Sequence, residues 1–456
     1  MRCFEDLGSL VEGRWRDHNY DEDSFPDVAA GALAEAKLND HVTPRDILHW
    51  LGEASALPDQ QDVDANFSDL PITVYDGSGF YIDVYYWLDG TTSLHHHSFC
   101  GAFQVLVGSS IVSQYSFSET ERIDANLSAG QITLAAVELL ERGAVRRILP
   151  GDQYIHCLFH LDRPSVSIVI RTRRTERGWP QKRYLKPYFA MSSFYRSPLT
   201  AKKVQSASLL LRMKSPDADE LIREMISNSD FHTAFAILNL AYDHFSDEGL
   251  AKAFGIASEE GRFEALIEVA RRRHGEVVDC ILPVIDEARR QNFLVWRRTQ
   301  IISTEHRYFL ALLLNVPDRL KMLKLVKQRF PEQDPVDTVL DWVEELANTK
   351  VLGSSDPNVL AVDDFDDDYL FVFQCMLEGL TLDQTIAKFE KEFSPELAQG
   401  STDKPAALYN SIRNSLIFRS IFADSISASR GPSESRKSSG KPKRKAGSRN
   451  SKSVGA

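Results

Sequence analysis

Three consecutive histidines, His95, His96 and His97, stand in YYWLDGTTSLHHHSFCGAFQVLVG (85–108), where a hydrophobic strand breaks at an Asp-Gly turn and resumes as an alternating one. On an extended strand His95 and His97 point to one side and His96 to the other. Their backbones lie about 7 Å apart by strand rise, so the two imidazoles can share one ion. A third nitrogen is offered by His156 in PGDQYIHCLFH (150–160), where a Pro-Gly turn again leads into a short strand. His160 follows on the same side of that strand and reads as structural. The metal ligands expected are therefore His95, His97 and His156. Three neutral imidazoles leave a divalent ion its full charge and up to three open positions, which suits an anionic bidentate substrate together with O2. The same set on zinc would hold a hydroxide for hydrolytic or lyase chemistry. Spacing does not separate Fe(II) from Zn, Mn, Ni or Cu.

The elements that position these residues follow from periodicity. From Leu70 to about Arg174, short β-branched or aromatic runs are punctuated by Gly, Asp and Ser, the pattern of an antiparallel β-barrel or jelly roll. QITLAAVELL (131–140) fits a strand or, by propensity, a helix. Upstream, Ala29 to Leu38 is rich in helix formers, and Thr43-Pro44-Arg45-Asp46 is a helix start with N-cap Thr, N1 Pro and an acidic N3 residue. Residues 176–199 are aromatic, basic and proline-bearing, suggesting a strap that closes over the barrel. From Ser206 to about Phe422 the period is helical, with faces at Leu221/Ile222/Met225/Ile226, Phe235/Leu238/Tyr242 and Leu320/Leu323/Val326/Phe330. Breaks such as SDEG, SEEG and NVPD come at helix-pair spacing without a consensus repeat, so an α-hairpin array or bundle is expected. DDFDDD (363–368) lacks the Gly and terminal Glu of a calcium loop and reads as a helix-capping acidic loop. The fold class expected is α+β multidomain: N-terminal helices packed on the barrel (1–68), a metal-binding β-barrel with its strap (69–200), an all-α region (201–424) and a disordered basic tail (425–456).

Composition sets the outer limits. The 456 residues are 43% hydrophobic and 10% aromatic, enough for a substantial core. The five cysteines are scattered and form no CxxC pair, arguing against a disulfide scaffold or zinc ribbon. No apolar run approaches a membrane span, and MRCFEDLGS lacks a signal-peptide pattern, so a cytoplasmic protein without membrane contact is expected. The net charge of −12 hides an asymmetry: from Arg430 onward the chain carries +8, leaving −20 on the rest. An acidic body disfavours nucleic acid as the main ligand, whereas the tail, with KPKRK at 441–445, can hold a polyanion weakly or act as a targeting signal. HExxH, GxSxG, Walker A and GxGxxG patterns are absent from the sequence.

The two histidine segments together resemble the paired motifs of the cupin superfamily over roughly residues 70–175. Gly90, His95, His97, position 101 and Gly108 keep the spacing of its first motif to within a residue. Gly143, Pro150-Gly151, His156 and His160 approximate the second. The acidic ligand position holds Gly101, or Ala102 with the longer spacing, and neither binds a metal. Loss of the acid with retention of three histidines resembles the thiol dioxygenases of the cysteine dioxygenase and aminothiol oxidase type, which hold Fe(II) on three imidazoles. That resemblance implies a small thiol, amino-acid-like or peptide-borne substrate and O2. RPSVSIVIRT resembles the cysteine dioxygenase strand that carries an inward Ser, His and Tyr; those positions are Ser167, Val169 and Arg171, so only the Ser is kept. The family's carboxylate-binding Arg has no counterpart before Trp87, and Cys100 is turned away from the metal by alternation. Arg171 is expected to bind an anion from another wall. Ser167, Trp87, Phe103 and Tyr154 are the other expected substrate-pocket residues, although the aromatic ones equally suit a barrel core. The competing reading is a non-catalytic cupin sensor or scaffold whose helical region, 206–422, binds a macromolecular partner.

Overall fold

In the computed structural model residues 1–61, 63, 67–173, 180–246, 260–393 and 404–422 are described. The basic tail with its KPKRK run lies outside them, as do residues 176–179 of the expected strap and most of the SDEG and SEEG breaks.

The strands expected between Leu70 and Arg174 are present. β1 (Leu70–Asp76), β2 (Phe80–Trp87), β8 (Ser165–Thr172), β3 (Gly101–Val107) and β6 (Val145–Ile148) form one antiparallel sheet in that order. β7 (Ile155–His160), β4 (Ser110–Arg122), β5 (Leu127–Leu140), β10 (Phe189–Ser192) and β9 (Lys182–Leu185) form the second. QITLAAVELL is strand: its pairing with β4 and β10 outweighs the helix propensity of Leu, Ala and Glu. Of the expected antiparallel β-barrel or jelly roll, the two-sheet form is present, and the sheets do not close into a barrel. The two sheets face one another as a sandwich, and the first sheet's edges, β1 and β6, join no strand ladder of the second among the described residues. Only isolated bridges on residues 91–97 reach the second sheet's edges.

Each sheet is covered on its outer face. Helices α1 (Arg2–Asp17) and α2 (Phe25–Ala36) lay Phe4, Leu7, Val11, Trp15, Phe25 and Leu33 against Ile72, Val84, Ile168 and Ile170 of the first sheet. The helix Pro44–Glu53 starts at the expected N-cap Thr43, and the contact is a capping box: Thr43 Oγ1 accepts from the Asp46 amide, and the Asp46 carboxylate accepts from the Thr43 amide at 2.9 Å. On the second sheet, Leu127, Ala129, Phe189 and Met191 share a core with helices Pro198–Met213, Ala218–Ser227 and Phe231–Ser246. Ile111, Phe159 and Leu161 share another with helices Ile281–Thr299 and Thr304–Asn315. Double covering explains why all eight residues of β2 are buried and why its alternation is hidden in sequence.

The strap region differs from expectation. Residues 182–192 form the β9–β10 hairpin at the edge of the second sheet, and a helix capped by the Ser197 side chain begins at Pro198, before the Ser206 start read from periodicity. In the helix Arg319–Arg329 the buried face is Met322, Leu325 and Val326, whereas the expected Leu320 is 62% exposed. Asp366 of DDFDDD caps the helix Asp367–Glu378 through the Tyr369 amide, and Lys404 pairs with Asp366 and Asp368.

Two buried arginines tie the helices to the sandwich. Arg307 gives Nε to the Leu161 carbonyl (2.7 Å), Nη1 to Asp89 Oδ1 (2.8 Å) and Nη2 to the Leu88 carbonyl (3.3 Å). Arg298 gives Nη1 to the carbonyls of Gly90 (3.0 Å) and His160 (3.2 Å). They hold the ends of the two segments that carry the histidines.

Candidate metal centre

The two histidine segments are joined by their backbones. His95 and His156 exchange reciprocal amide–carbonyl bonds of 3.0 and 2.9 Å, and the Gly151 amide donates to the His97 carbonyl at 2.9 Å. A directly opposed, hydrogen-bonded pair projects its side chains to one face. The result is three rings whose centroids are 4.5 Å (His95–His97), 4.8 Å (His95–His156) and 5.0 Å (His97–His156) apart. One nitrogen of each lies within 4.8 Å of the others. The Pro150-Gly151 turn sets this register, with Gly151 at φ 65°, in the left-handed region that favours glycine.

Second contacts select the ring nitrogens. His95 Nδ1 lies 2.6 Å from the Ser93 carbonyl and His156 Nδ1 lies 3.3 Å from that of Tyr154. A carbonyl only accepts, so each Nδ1 carries the hydrogen and each Nε2 lone pair is left for a metal. Burial holds the pKa values of His95, His97 and His156 below the ordinary histidine range, and for His97 the neighbouring His95, His156 and Arg171 act in the same direction. The neutral, ligating form is thereby favoured. These residues fit a divalent transition metal by donor chemistry.

His96 faces the other way, as alternation requires. It is buried against the β9 hairpin, with Nδ1 2.9 Å from Tyr184 Oη and Nε2 2.8 Å from the Pro180 carbonyl. Cys100 also faces outward, into the core beneath α1 and α2, with Sγ 3.5 Å from the Glu22 carbonyl. Gly101 is the position that the resemblance assigns to an acidic ligand. A Cβ built there would run into the Ile170 carbonyl and the Arg171 backbone, so β3 and β8 approach too closely at this point for any side chain.

The expected pocket residues separate into two groups. Near the histidines, Phe99 lies 4.3 Å from His97 and Tyr154 lies 4.3 Å from His156, ring to ring. The Tyr154 hydroxyl is buried without a hydrogen-bond partner among the described residues, and burial pushes its pKa up. Arg171 lies between the Phe99 ring (4.5 Å) and the Tyr81 ring (4.7 Å), with Nε 3.5 Å from Asp83 Oδ2. Phe103 belongs to the inner core with Phe99, Tyr154 and Val169. Trp87 and Ser167 pair with each other instead, Nε1 to Oγ at 3.1 Å, and the indole stacks on His160 at 4.3 Å.

Asp83 was not singled out by the sequence reading. Its carboxylate is buried, accepts from Thr73 Oγ1 (2.8 Å) and Tyr85 Oη (2.6 Å), and faces Arg171. The signal was available: in Tyr81, Asp83, Tyr85 and Trp87, a charged residue stands at an inward position of an otherwise aromatic strand face.

His160 is structural, as expected. Its Nδ1 lies 2.8 Å from Ser110 Oγ, and burial, helped by the Arg298 charge, lowers its pKa to about 3. The folded value lies below the unfolded value of about 6.5, so the unfolded chain binds the extra proton and stability falls as pH drops from 6.5 toward 3. At roughly 1.4 kcal/mol per pKa unit, this one residue removes a few kcal/mol across that window. In His160→Phe the unfolding midpoint in urea is expected to fall less steeply between pH 6.5 and 4 than in the wild type; equal slopes would refute it.

No protein-family model and no curated protein matches the chain. Among solved structures, it is similar over part of its length to hydroquinone 1,2-dioxygenase from Sphingomonas sp. TTNP3 with 4-hydroxybenzoate bound (10% identity, 27% of this chain and 82% of that one, TM-score 0.20). It is also similar to a cupin-2 domain containing protein from Shewanella frigidimarina (12%, 30% and 99%, 0.18) and to the DMSP lyase DddQ from Ruegeria pomeroyi (13%, 40% and 95%, 0.23). The fold and the site define a two-sheet β-sandwich, wrapped in helices, with a three-histidine group. No helix among the described residues is long and apolar enough to cross a membrane.

Proposed function

We propose that the protein is a mononuclear metal-dependent dioxygenase of cupin type, with Fe(II) on His95, His97 and His156 and a small thiol, amino-acid-like or peptide-borne substrate. The observation that carries this reading is the three-imidazole group itself, preset in its neutral form and unaccompanied by a carboxylate among the described residues. Iron, when bound, would supply the redox chemistry and the open positions for substrate and O2. The chain's own residues bind, orient and exclude water. The Ser93 and Tyr154 carbonyls fix two ligand rings. Phe99, Phe103, Tyr154 and Val169 belong to a buried apolar cluster beside them. Arg171, held in place by Asp83 and two aromatic faces, presents positive charge on the His97 side, where an anionic substrate group would be oriented.

The test is metal analysis of purified protein combined with O2 uptake on small thiols. About one iron per chain and thiol-dependent O2 consumption are expected, and a purified chain with no metal at these histidines would overturn the reading. Arg171→Met is expected to raise KM for an anionic substrate by roughly 10-fold or more while metal content and kcat change less, since a charge-assisted contact contributes about 1.5–3 kcal/mol. O2-electrode kinetics would show this, and an unchanged KM would remove Arg171 from the substrate site.

A further inference from the structure

Arg298 is fully buried, and its guanidinium is fixed on three sides. Nη1 donates to the Gly90 and His160 carbonyls, and one face of the group lies 4.2 Å over the Phe159 ring. The remaining edge, Nε and Nη2, has no hydrogen-bond partner among the described residues. These two nitrogens form the planar fork that matches both oxygens of a carboxylate or two oxygens of a phosphate-like group. Thr91 bridges Phe159, the residue under the guanidinium, in the backbone, and its buried Oγ1 also lacks a partner among the described residues.

The charge balance around the fork points the same way. Among the described residues Asp89 is the carboxylate whose charge acts on Arg298, and it is already engaged by Arg163 at 2.5 Å and Arg307 at 2.8 Å. Two guanidinium groups therefore already share this carboxylate, at a junction where Arg298 and Arg307 are cut off from solvent. Water can satisfy donors but does not neutralise buried charge; an anion does both.

We infer that the Arg298 fork is a binding site for a small oxyanion, seated between the helix Ile281–Thr299 and the 88–91 segment. Its occupant is compact, a monocarboxylate or a tetrahedral inorganic oxyanion, and its entry requires the helix and the 88–91 segment to part, because neither nitrogen is reached by solvent in this structure. The site stands on observations separate from the three histidines, and the bound anion would lock the helices to the segment that leads into His95.

The test is thermal unfolding of the full chain in low-millimolar formate, selenate or chloride at matched ionic strength, with the metal state held constant. Formate or selenate is expected to raise the midpoint by about 2–4 °C and chloride not to do so. Which oxyanion acts separates the carboxylate from the tetrahedral class. Arg298→Lys keeps the charge, loses the fork and is expected to abolish the rise. Should that variant fail to fold, anomalous scattering from selenate, or formate density, at the fork in wild-type crystals decides the matter. The proposal is overturned if no oxyanion shifts the midpoint, if chloride acts equally, or if only water or a carboxylate of the chain itself fills the fork.

Discussion

His156→Ala is expected to lower bound metal from about one per chain to less than about a tenth and to reduce O2 uptake by at least about 100-fold. Changing a residue that merely orients a ligand costs about 10- to 100-fold in affinity or activity, so removing a ligand costs more. The fold should survive, because His156 is a buried imidazole whose charged form is already disfavoured and whose backbone makes the bonds to His95. His96→Ala is the contrasting variant. It loses the contacts to Tyr184 and Pro180 and should keep its metal. Metal analysis and O2 uptake on the two variants together would show which imidazoles matter. Equal metal loss in both would mean that the whole segment, and not His95 and His97 in particular, forms the site.

The second large effect concerns Gly101. Replacing it with Glu, to restore a carboxylate ligand, is expected to cost roughly 3–5 kcal/mol and to gain no ligand, because the new Cβ meets backbone atoms of Ile170 and Arg171 and not a flexible side chain. Gly101→Ala should lose a similar amount, which separates the steric effect from the buried charge. Urea unfolding together with metal content would check this. A stable Gly101→Glu protein with altered metal preference would show that the two strands can part at this point.

Much of the site was legible because it rests on short-range rules. Alternation separates His95 and His97 from His96, and a Pro-Gly turn marks the start of the second segment. The Thr43 cap was legible for the same reason. What escaped depended on packing between distant elements. Periodicity alone does not report whether strands close into a barrel or separate into two sheets, since the inward and outward pattern is the same in both. The buried face of Arg319–Arg329 turned from Leu320 to Met322 because it docks on other helices, and a lone segment cannot specify their direction. Asp83 was hidden in an aromatic strand, and its partners Thr73 and Arg171 lie on neighbouring strands. Gly101 was read as the loss of a ligand. Its meaning is better stated as a strand crossing that excludes one.

The covering of both outer sheet faces constrains how such a chain can vary over generations. A strand with one wet face can exchange half its residues freely, but β2 has neither face to spare, so a change there must be answered by a helix as well as by the opposite sheet. Freedom is left mainly at the rims of the sandwich and on the outward sides of the helices. New specificity would therefore arise at the rim around residues 91–97 and the β9 hairpin, while the layers behind them change slowly and together.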